Sequence, residues 1–241
     1  MSHIRLIPCF FRRVICLAAL SALCTTNLVS AVAEDSTEES IALYADAANF
    51  QTSGAIELAI QNWKQFLKRY PNDDLASKAA HYLGVCYMQN ETPDYSAAAD
   101  AFAVALKDRK YELREESLAN QGWCYYASAG NGPSRDEARL KQSIKAFDTL
   151  RNENPKSQYL DRAYFYGGEA AYGLGERQRA IAFYDRFLKL PNAEQSPLHC
   201  EAIYAKGIAH EELKQTKDAI AAYRKLLAAC GDKPIVIDVH L

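Results

Sequence analysis

The sequence predicts an all-α fold, a right-handed superhelix of about five stacked antiparallel helical hairpins. A pattern of glycine and aromatic residues recurs five times, which indicates repeats. Apolar residues recur at spacings of three and four, the period of an amphipathic helix. Turn residues such as Pro71-Asn72-Asp73 and Pro191-Asn192 separate the periodic segments, and patterns typical of strands are nearly absent.

The chain begins with a pattern typical of a secretory leader. Arg5, Arg12 and Arg13 precede an apolar run over residues 14–29, and Ala31-Val32-Ala33 has the form of a signal-peptidase site. We therefore expect residues 1–33 to be removed as a signal peptide and the protein to be exported.

Two alternatives concern this leader. A retained membrane anchor is disfavoured because the apolar run is interrupted at Thr25 and is shorter than the roughly 20 residues that a span needs. A lipidated form is disfavoured because Leu23 precedes Cys24, where a lipoprotein cleavage site has a small residue.

The charge balance argues against some classes of partner. The whole chain has a net charge of −2, and removal of the three leader arginines makes it −5. Acidic and basic residues are interspersed, so the sequence has no basic patch for nucleic acid or anionic lipid. We expect membrane association only through a partner or a retained leader.

Each repeat contains a small residue, then an aromatic, a second small residue and a second aromatic. The copies are anchored at Ala47, Gly84, Gly122, Gly168 and Gly207, with spacings of 37 to 46 residues. This is the length of two four-turn helices and two connections. The predicted hairpins cover about 40–73, 77–110, 115–156, 161–193 and 200–232, in a repeat domain over residues 34–230.

Two features of these repeats predict details of the packing. Glycine inside a helix costs about 1 kcal/mol relative to alanine, so its recurrence at one place implies a close helix crossing. We expect the small residue about twelve positions later, such as Ala180 after Gly168, to fill the remaining gap, with large aromatics covering the seam. The longer third repeat carries an insertion over about 130–140, part of which is expected to extend the following helix by one turn.

Four cysteines follow the leader. Cys86 and Cys124 lie two residues after a repeat glycine, where later copies have alanine, and are predicted to be small core residues. Cys200 begins the first helix of the fifth hairpin and Cys230 ends its second helix, so antiparallel packing would bring them together. A disulfide and two unpaired thiols are both open alternatives at this point.

No recognisable motif for catalysis or metal binding occurs in the sequence. His210-Glu211-Glu212 lacks the second histidine of a zinc-protease helix, and Gly130-Asn131-Gly132 lacks the third glycine of a dinucleotide loop. We therefore predict no catalytic residue, no metal and no cofactor.

The first helices of stacked hairpins line a concave surface. Residues three before, one after and four after each anchor share a helix face there. The binding candidates on this face are His81, Trp123, Tyr126, Phe165, Glu169, Tyr172 and Tyr204. Tryptophan and tyrosine bury a large area while losing few rotamers, so we predict a peptide across hairpins two to four, with Trp123 as its main anchor. About half of the aromatics are expected to pack between hairpins instead.

The segment Phe66-Leu67-Lys68-Arg69-Tyr70-Pro71, echoed by Phe187-Leu188-Lys189-Leu190-Pro191, resembles tetratricopeptide-repeat proteins, as do the five repeats over about residues 39–230. The sequence of this segment is similar to that of an exported bacterial subgroup, the Tol-Pal-associated coordinators and outer-membrane assembly lipoproteins. The departures are the longer units, Gln121 and Lys206 where the family has large apolar residues, and the missing lipidation cysteine of the lipoproteins. The resemblance implies a solenoid that binds a protein or peptide.

The last residues, 231–241, are apolar around Ile235 and Val236, and we expect either the start of a further helix or an improvised cap. Taken together, these patterns predict a periplasmic or secreted scaffold for a protein or peptide partner in the cell envelope. One alternative is a helical-repeat enzyme or carbohydrate-active domain that uses Glu169 and a second, unidentified carboxylate. Another is a self-assembling repeat module.

Overall fold

The computed structural model describes residues 36–231. The predicted leader over residues 1–33 and most of the predicted terminal segment, residues 232–241, lie outside this range. Within it the chain forms ten α-helices: α1 Glu38–Thr52, α2 Ile56–Arg69, α3 Ala76–Gln89, α4 Tyr95–Ala105, α5 Arg114–Ser128, α6 Glu137–Glu153, α7 Leu160–Gly173, α8 Arg177–Phe187, α9 His199–Glu212 and α10 Thr216–Cys230. Residues 36–231 contain no strand, and the all-α prediction is confirmed.

Consecutive helices pair as hairpins, α1 with α2 through α9 with α10, and each pair begins within two residues of the start of a predicted repeat. The second helix of each hairpin packs on the first helix of the next. The first helices α5, α7 and α9 also contact one another in sequence, so they form a continuous surface. None of the helices within 36–231 is both long and apolar enough to cross a membrane.

The insertion in the third hairpin lengthens α6. This helix has 17 residues and is longer than the second helix of any other hairpin in the described range. Its start is set by Asp136, whose carboxylate accepts hydrogen bonds from the backbone N–H groups of Ala138 (2.9 Å) and Arg139 (3.2 Å). The helix extension agrees with the interpretation of the insertion.

An aromatic ring covers each of the four anchor glycines. The rings come from the second helix of the same hairpin, and the pairs are Gly84 with Phe102, Gly122 with Phe147, Gly168 with Tyr184 and Gly207 with Tyr223. A Cβ atom added at Gly84 or Gly122 would lie 2.7 Å from a ring carbon. The aromatic cover over the seam agrees with the prediction. The small residues of the second helices, Ala98, Ser143, Ala180 and Ala219, are buried as well. In the third hairpin Ser143 touches the anchor itself, since its hydroxyl donates to the Gly122 carbonyl at 2.8 Å.

Two adjacent glycines in α7 provide a matched test of this packing. A Cβ at Gly168 would lie 2.5 Å from the Tyr184 ring, whereas at Gly167 the nearest atom is Nη1 of Arg151 at 3.5 Å. Overpacking costs about 1–3 kcal/mol and the helix propensity of alanine returns at most about 1 kcal/mol. Gly168→Ala is expected to lower the free energy of unfolding by up to about 2 kcal/mol, and Gly167→Ala to raise it by up to about 1 kcal/mol. Urea unfolding checks both values, and shifts of the same sign would contradict the packing.

The cysteines divide into two kinds. Cys86 and Cys124 are buried and unpaired, and burial raises the pKa of the Cys86 thiol to about 11 and of the Cys124 thiol to about 12. They are small core residues, as predicted. Cys200 and Cys230 are joined by a disulfide with a Cα separation of 6.1 Å. Of the two alternatives for this pair, the structure has the bridge.

Candidate partner-binding groove

A cavity of about 310 Å³ lies on the surface formed by the first helices α7 and α9. Its lining residues are Phe165, Glu169, Tyr172, Tyr184, Glu201, Tyr204, Ala205 and Ile208. Four of these, Phe165, Glu169, Tyr172 and Tyr204, are among the seven predicted binding residues. We call this site the α7–α9 cavity. It lies on the fourth and fifth hairpins, whereas the prediction centred the groove on Trp123 in the third.

Glu169 on α7 is held in place by two tyrosines. The Tyr184 hydroxyl donates to Oε1 at 2.6 Å and the Tyr126 hydroxyl donates to Oε2 at 3.3 Å. Tyr126, a fifth predicted residue, is thereby connected to the cavity. Burial and the negative charge of Glu169 raise the pKa of Tyr126 to about 12, and the same two causes raise the pKa of Tyr184. Both phenols therefore stay protonated at neutral pH and donate to the carboxyl oxygens of Glu169.

A second group of contacts lies at the edge of the cavity. The Tyr172 hydroxyl donates to the carboxylate of Glu212, which also pairs with Arg177. The guanidinium carbon of Arg177 lies 3.9 Å from the centroid of the Tyr172 ring. Burial, together with the hydrogen bond and charge of Glu212, raises the pKa of Tyr172 to about 12. Tyr172 is therefore fixed in a cation–π and hydrogen-bonded arrangement.

The ionisable groups that line the cavity are all acidic or phenolic. Its ionisable lining groups are the carboxylates of Glu169 and Glu201 and the phenols of three tyrosines, and no lysine, arginine or histidine lines it. In the part of the chain that the structure describes, neither carboxylate forms an ion pair. Glu201 is exposed and Glu169 is half-buried. The cavity thus combines aromatic walls with two carboxylates that have no ion-pair partner in the described chain.

His81 does not lie on the open surface, and its predicted role as a groove residue is wrong. Its side chain is only 2% exposed, because Phe102 of α4 packs on its ring, with centroids 5.6 Å apart, and residues of α5 contact both ring nitrogens. Nδ1 lies 2.8 Å from Oγ of Ser117, and Nε2 lies 3.8 Å from Glu116. Burial lowers the pKa of His81, and Glu116 opposes this shift only in part. The residue is a neutral, hydrogen-bonded contact between the second and third hairpins.

Phe165 is also misplaced by the prediction as an exposed residue. It is only 8% exposed and packs against Tyr166, Tyr184 and Phe187, so it forms a wall of the cavity rather than a free anchor. The burial of Phe165 follows a pattern shared by several hairpins. In hairpins two to four the position three before the anchor is buried, whereas the positions one and four after it stay half-buried. The concave stripe is therefore narrower than helical spacing alone predicts.

Trp123 is half-buried and does not line the α7–α9 cavity. Its ring meets that of Tyr95, at the start of α4, edge to face with centroids 4.8 Å apart. Much of its area is thus already used between the second and third hairpins.

Comparison with known families identifies the repeat. The tetratricopeptide repeat matches residues 44–112 and 167–234, more than half of the chain. The chain belongs to the tetratricopeptide-repeat family. The stretch between the matched segments, residues 113–166, contains α5, α6 and the longer connection of this tetratricopeptide-repeat protein. No curated protein matches its sequence significantly.

Solved structures with a similar fold include several tetratricopeptide-repeat proteins. A repeat protein from Parabacteroides merdae is 16% identical, with a TM-score of 0.63 over 83% of this chain and 70% of its own. MamA is 20% identical, with a TM-score of 0.60 over 77% of this chain and 95% of its own. PilW, described as a widely conserved type IV pilus biogenesis factor, is 13% identical, with a TM-score of 0.58 over 82% of this chain and 81% of its own. At these identities the likeness shows the tetratricopeptide fold.

Four lining residues were not among the predicted binding residues: Tyr184, Glu201, Ala205 and Ile208. Two of them, Glu201 and Tyr184, carry polar groups. Glu201 lies one turn before Tyr204 on α9, and its place on that helix face was a usable signal. Tyr184 belongs to α8, a second helix, and only first helices were considered. Its signal was the hydroxyl: Phe102 and Phe147 occupy the same position in earlier repeats of this tetratricopeptide-repeat protein, so a buried phenol there needs a polar partner.

Proposed function

We propose that this tetratricopeptide-repeat protein is an exported scaffold, periplasmic or secreted, that binds a protein or peptide partner in the cell envelope and catalyses no reaction. The observation that carries the proposal is the α7–α9 cavity, an aromatic depression on the surface formed by the first helices. Concave sites of this kind, with aromatic walls and a few fixed polar groups, are typical of ligand recognition.

The geometry suits a segment of polypeptide. Tyr172 and Tyr204 are half-buried, so their remaining area is free to be covered by a partner. Tyr126 continues the line of tyrosines onto α5 and is connected to the cavity through Glu169. An extended or helical segment that crosses α5, α7 and α9 would cover all three rings. Buried tyrosines supply much of the binding energy in protein interfaces.

Three features support export: the pattern of the first residues, a disulfide bridge and a family resemblance. Residues 1–33 have the charge, apolar and cleavage pattern of a signal peptide. The Cys200–Cys230 bridge suits an oxidising compartment, where disulfides persist. The resemblance to the subgroup of Tol-Pal-associated coordinators and outer-membrane assembly lipoproteins points to the same compartment, and we propose a partner in the envelope on that basis.

Selection from a displayed peptide library tests the proposal. The wild-type protein is expected to enrich peptides, and Tyr204→Ala is expected to weaken their binding about tenfold or more, since it removes a tyrosine from the centre of the contact. Tyr125→Ala is the matched control, because Tyr125 is a half-buried tyrosine that does not line the cavity. Isothermal titration calorimetry measures the affinities.

Equal binding by Tyr204→Ala and the wild type would place the peptide elsewhere and contradict the proposed site. Failure to enrich any peptide would contradict the proposed binding function itself.

A further inference from the structure

We infer that the α7–α9 cavity takes a cationic side chain, an arginine or lysine of the partner polypeptide. This inference rests on the proposed binding function and specifies the chemistry of the residue that the cavity recognises. Its basis is the juxtaposition of Glu169 and Glu201 with the aromatic rings of Phe165, Tyr172 and Tyr204 in one cavity of about 310 Å³.

Within residues 36–231 neither carboxylate of the cavity has an ion-pair partner. Glu169 accepts from two phenols, and the positive charge of Arg135 acts on one of them, Tyr126, without an ion pair to the carboxylate itself. Glu201 shares the cavity, and two like charges at one site raise the negative potential there. Arg135, which lies 5.8 Å from the Tyr126 ring centroid, forms no ion pair with either carboxylate within residues 36–231. A bound cation balances the site, whereas a neutral ligand does not.

The pKa shifts of the tyrosines agree with a negative potential in the cavity. Burial raises the pKa of Tyr126, Tyr172 and Tyr184, and in each the charge of Glu169 adds to the effect. The phenols thus remain neutral, and their rings present the electron-rich faces that attract cations. Aromatic faces and carboxylates together favour a cation over an anion or an uncharged group.

The protein already contains one such arrangement beside the cavity. Arg177 stacks on Tyr172 at 3.9 Å and pairs with Glu212, so cation, ring and carboxylate are all present there. The cavity has the ring and the carboxylate in Tyr204 and Glu201, but its lining includes no cation. We therefore assign the missing component to the partner.

Titration with two small probes tests the inference directly. N-acetyl-arginine methylamide and N-acetyl-citrulline methylamide have the same shape, but only the first is charged. NMR chemical shifts of the aromatic resonances measure binding to the full chain. The arginine probe is expected to bind about tenfold more tightly than the citrulline probe, the ratio that corresponds to one charge-assisted contact.

Glu201→Gln is expected to remove most of that preference, and Glu201 is exposed, so the substitution leaves the core intact. Glu57→Gln is the matched control, because Glu57 is an exposed glutamate on α2 and is absent from the cavity lining. Equal affinity for the two probes, or an unchanged preference in Glu201→Gln, would overturn the inference. Stronger shifts of the same resonances by cellohexaose than by the arginine probe would also overturn it and favour a carbohydrate site.

The library-selected peptides separate this inference from the proposed function. Each enriched peptide is expected to contain an arginine or lysine whose replacement by glutamine weakens binding about tenfold. Peptides that bind equally well after this replacement would overturn the inference while the scaffold function stands. If no peptide is enriched and the arginine probe still binds, the scaffold function fails while the chemistry of the cavity stands.

Discussion

Replacement of Trp63 by alanine is expected to lower the free energy of unfolding by about 3–5 kcal/mol, the range for truncation of a large buried aromatic residue. Trp63 is fully buried, and its indole N–H donates to the side-chain oxygen of Gln51 at 3.1 Å. Its ring packs edge to face on Tyr44, with centroids 4.8 Å apart, and stacks on Tyr82 of the next hairpin at 5.7 Å. The truncation therefore leaves a cavity where the first two hairpins meet. Urea unfolding followed by circular dichroism measures the loss.

Trp123→Ala is the matched control, since the chain has only two tryptophans. Trp123 is half-buried, so its truncation is expected to cost about half as much or less. In each variant the remaining tryptophan reports unfolding by fluorescence. A loss below about 1 kcal/mol for Trp63→Ala would contradict the central place of this ring in the core.

Removal of the Cys200–Cys230 bridge has the second large expected effect. The bridge closes a segment with a sequence separation of 30, for which loop-closure entropy predicts a stabilisation of about 3–4 kcal/mol. In the described range α10 packs chiefly on α9, so the bridge links the two helices of the fifth hairpin at their open end. Cys200→Ala with Cys230→Ala is expected to lose this stabilisation, measured by urea unfolding and by faster amide exchange in α10.

Reduction supplies the control for the disulfide. Dithiothreitol is expected to destabilise the wild-type protein by about the same amount and to leave the double variant unchanged, because the variant has no bridge to reduce. Equal stability of the oxidised wild type and the variant would show that the bridge contributes nothing. The bridge also matters for the cavity, since α9 carries Glu201 and Tyr204.

The hairpins were predictable because their signals are local. Apolar spacing, turn residues and caps such as Asp136 act within a few residues, so each helix can be located without knowledge of its neighbours. The pairing of Cys200 with Cys230 was predictable as an alternative for the same reason, since it follows from the antiparallel direction of two adjacent helices. The choice between the bridge and free thiols required the observed Cα separation of 6.1 Å.

The candidate site was predictable only in part. His81 and Tyr204 occupy the same register, three residues before an anchor glycine, yet His81 is covered by side chains of α4 and α5 and Tyr204 lines the cavity. Helical spacing identifies the face on which a residue lies, but not which element packs on that face. The partial burial of Trp123 has the same cause, because the Tyr95 ring that packs on it belongs to another hairpin.

The sequence by itself determined the helices, their pairing into five repeats and the family, because each depends on periodicity and on residues close together in the chain. Only the tertiary structure decided which of the predicted groove residues meet in one cavity. Glu169 on α7, Tyr184 on α8 and Glu201 on α9 come together through the stacking of successive hairpins. The physical reason is that burial and electrostatic potential depend on all the neighbours of a side chain in space, and these come from different repeats.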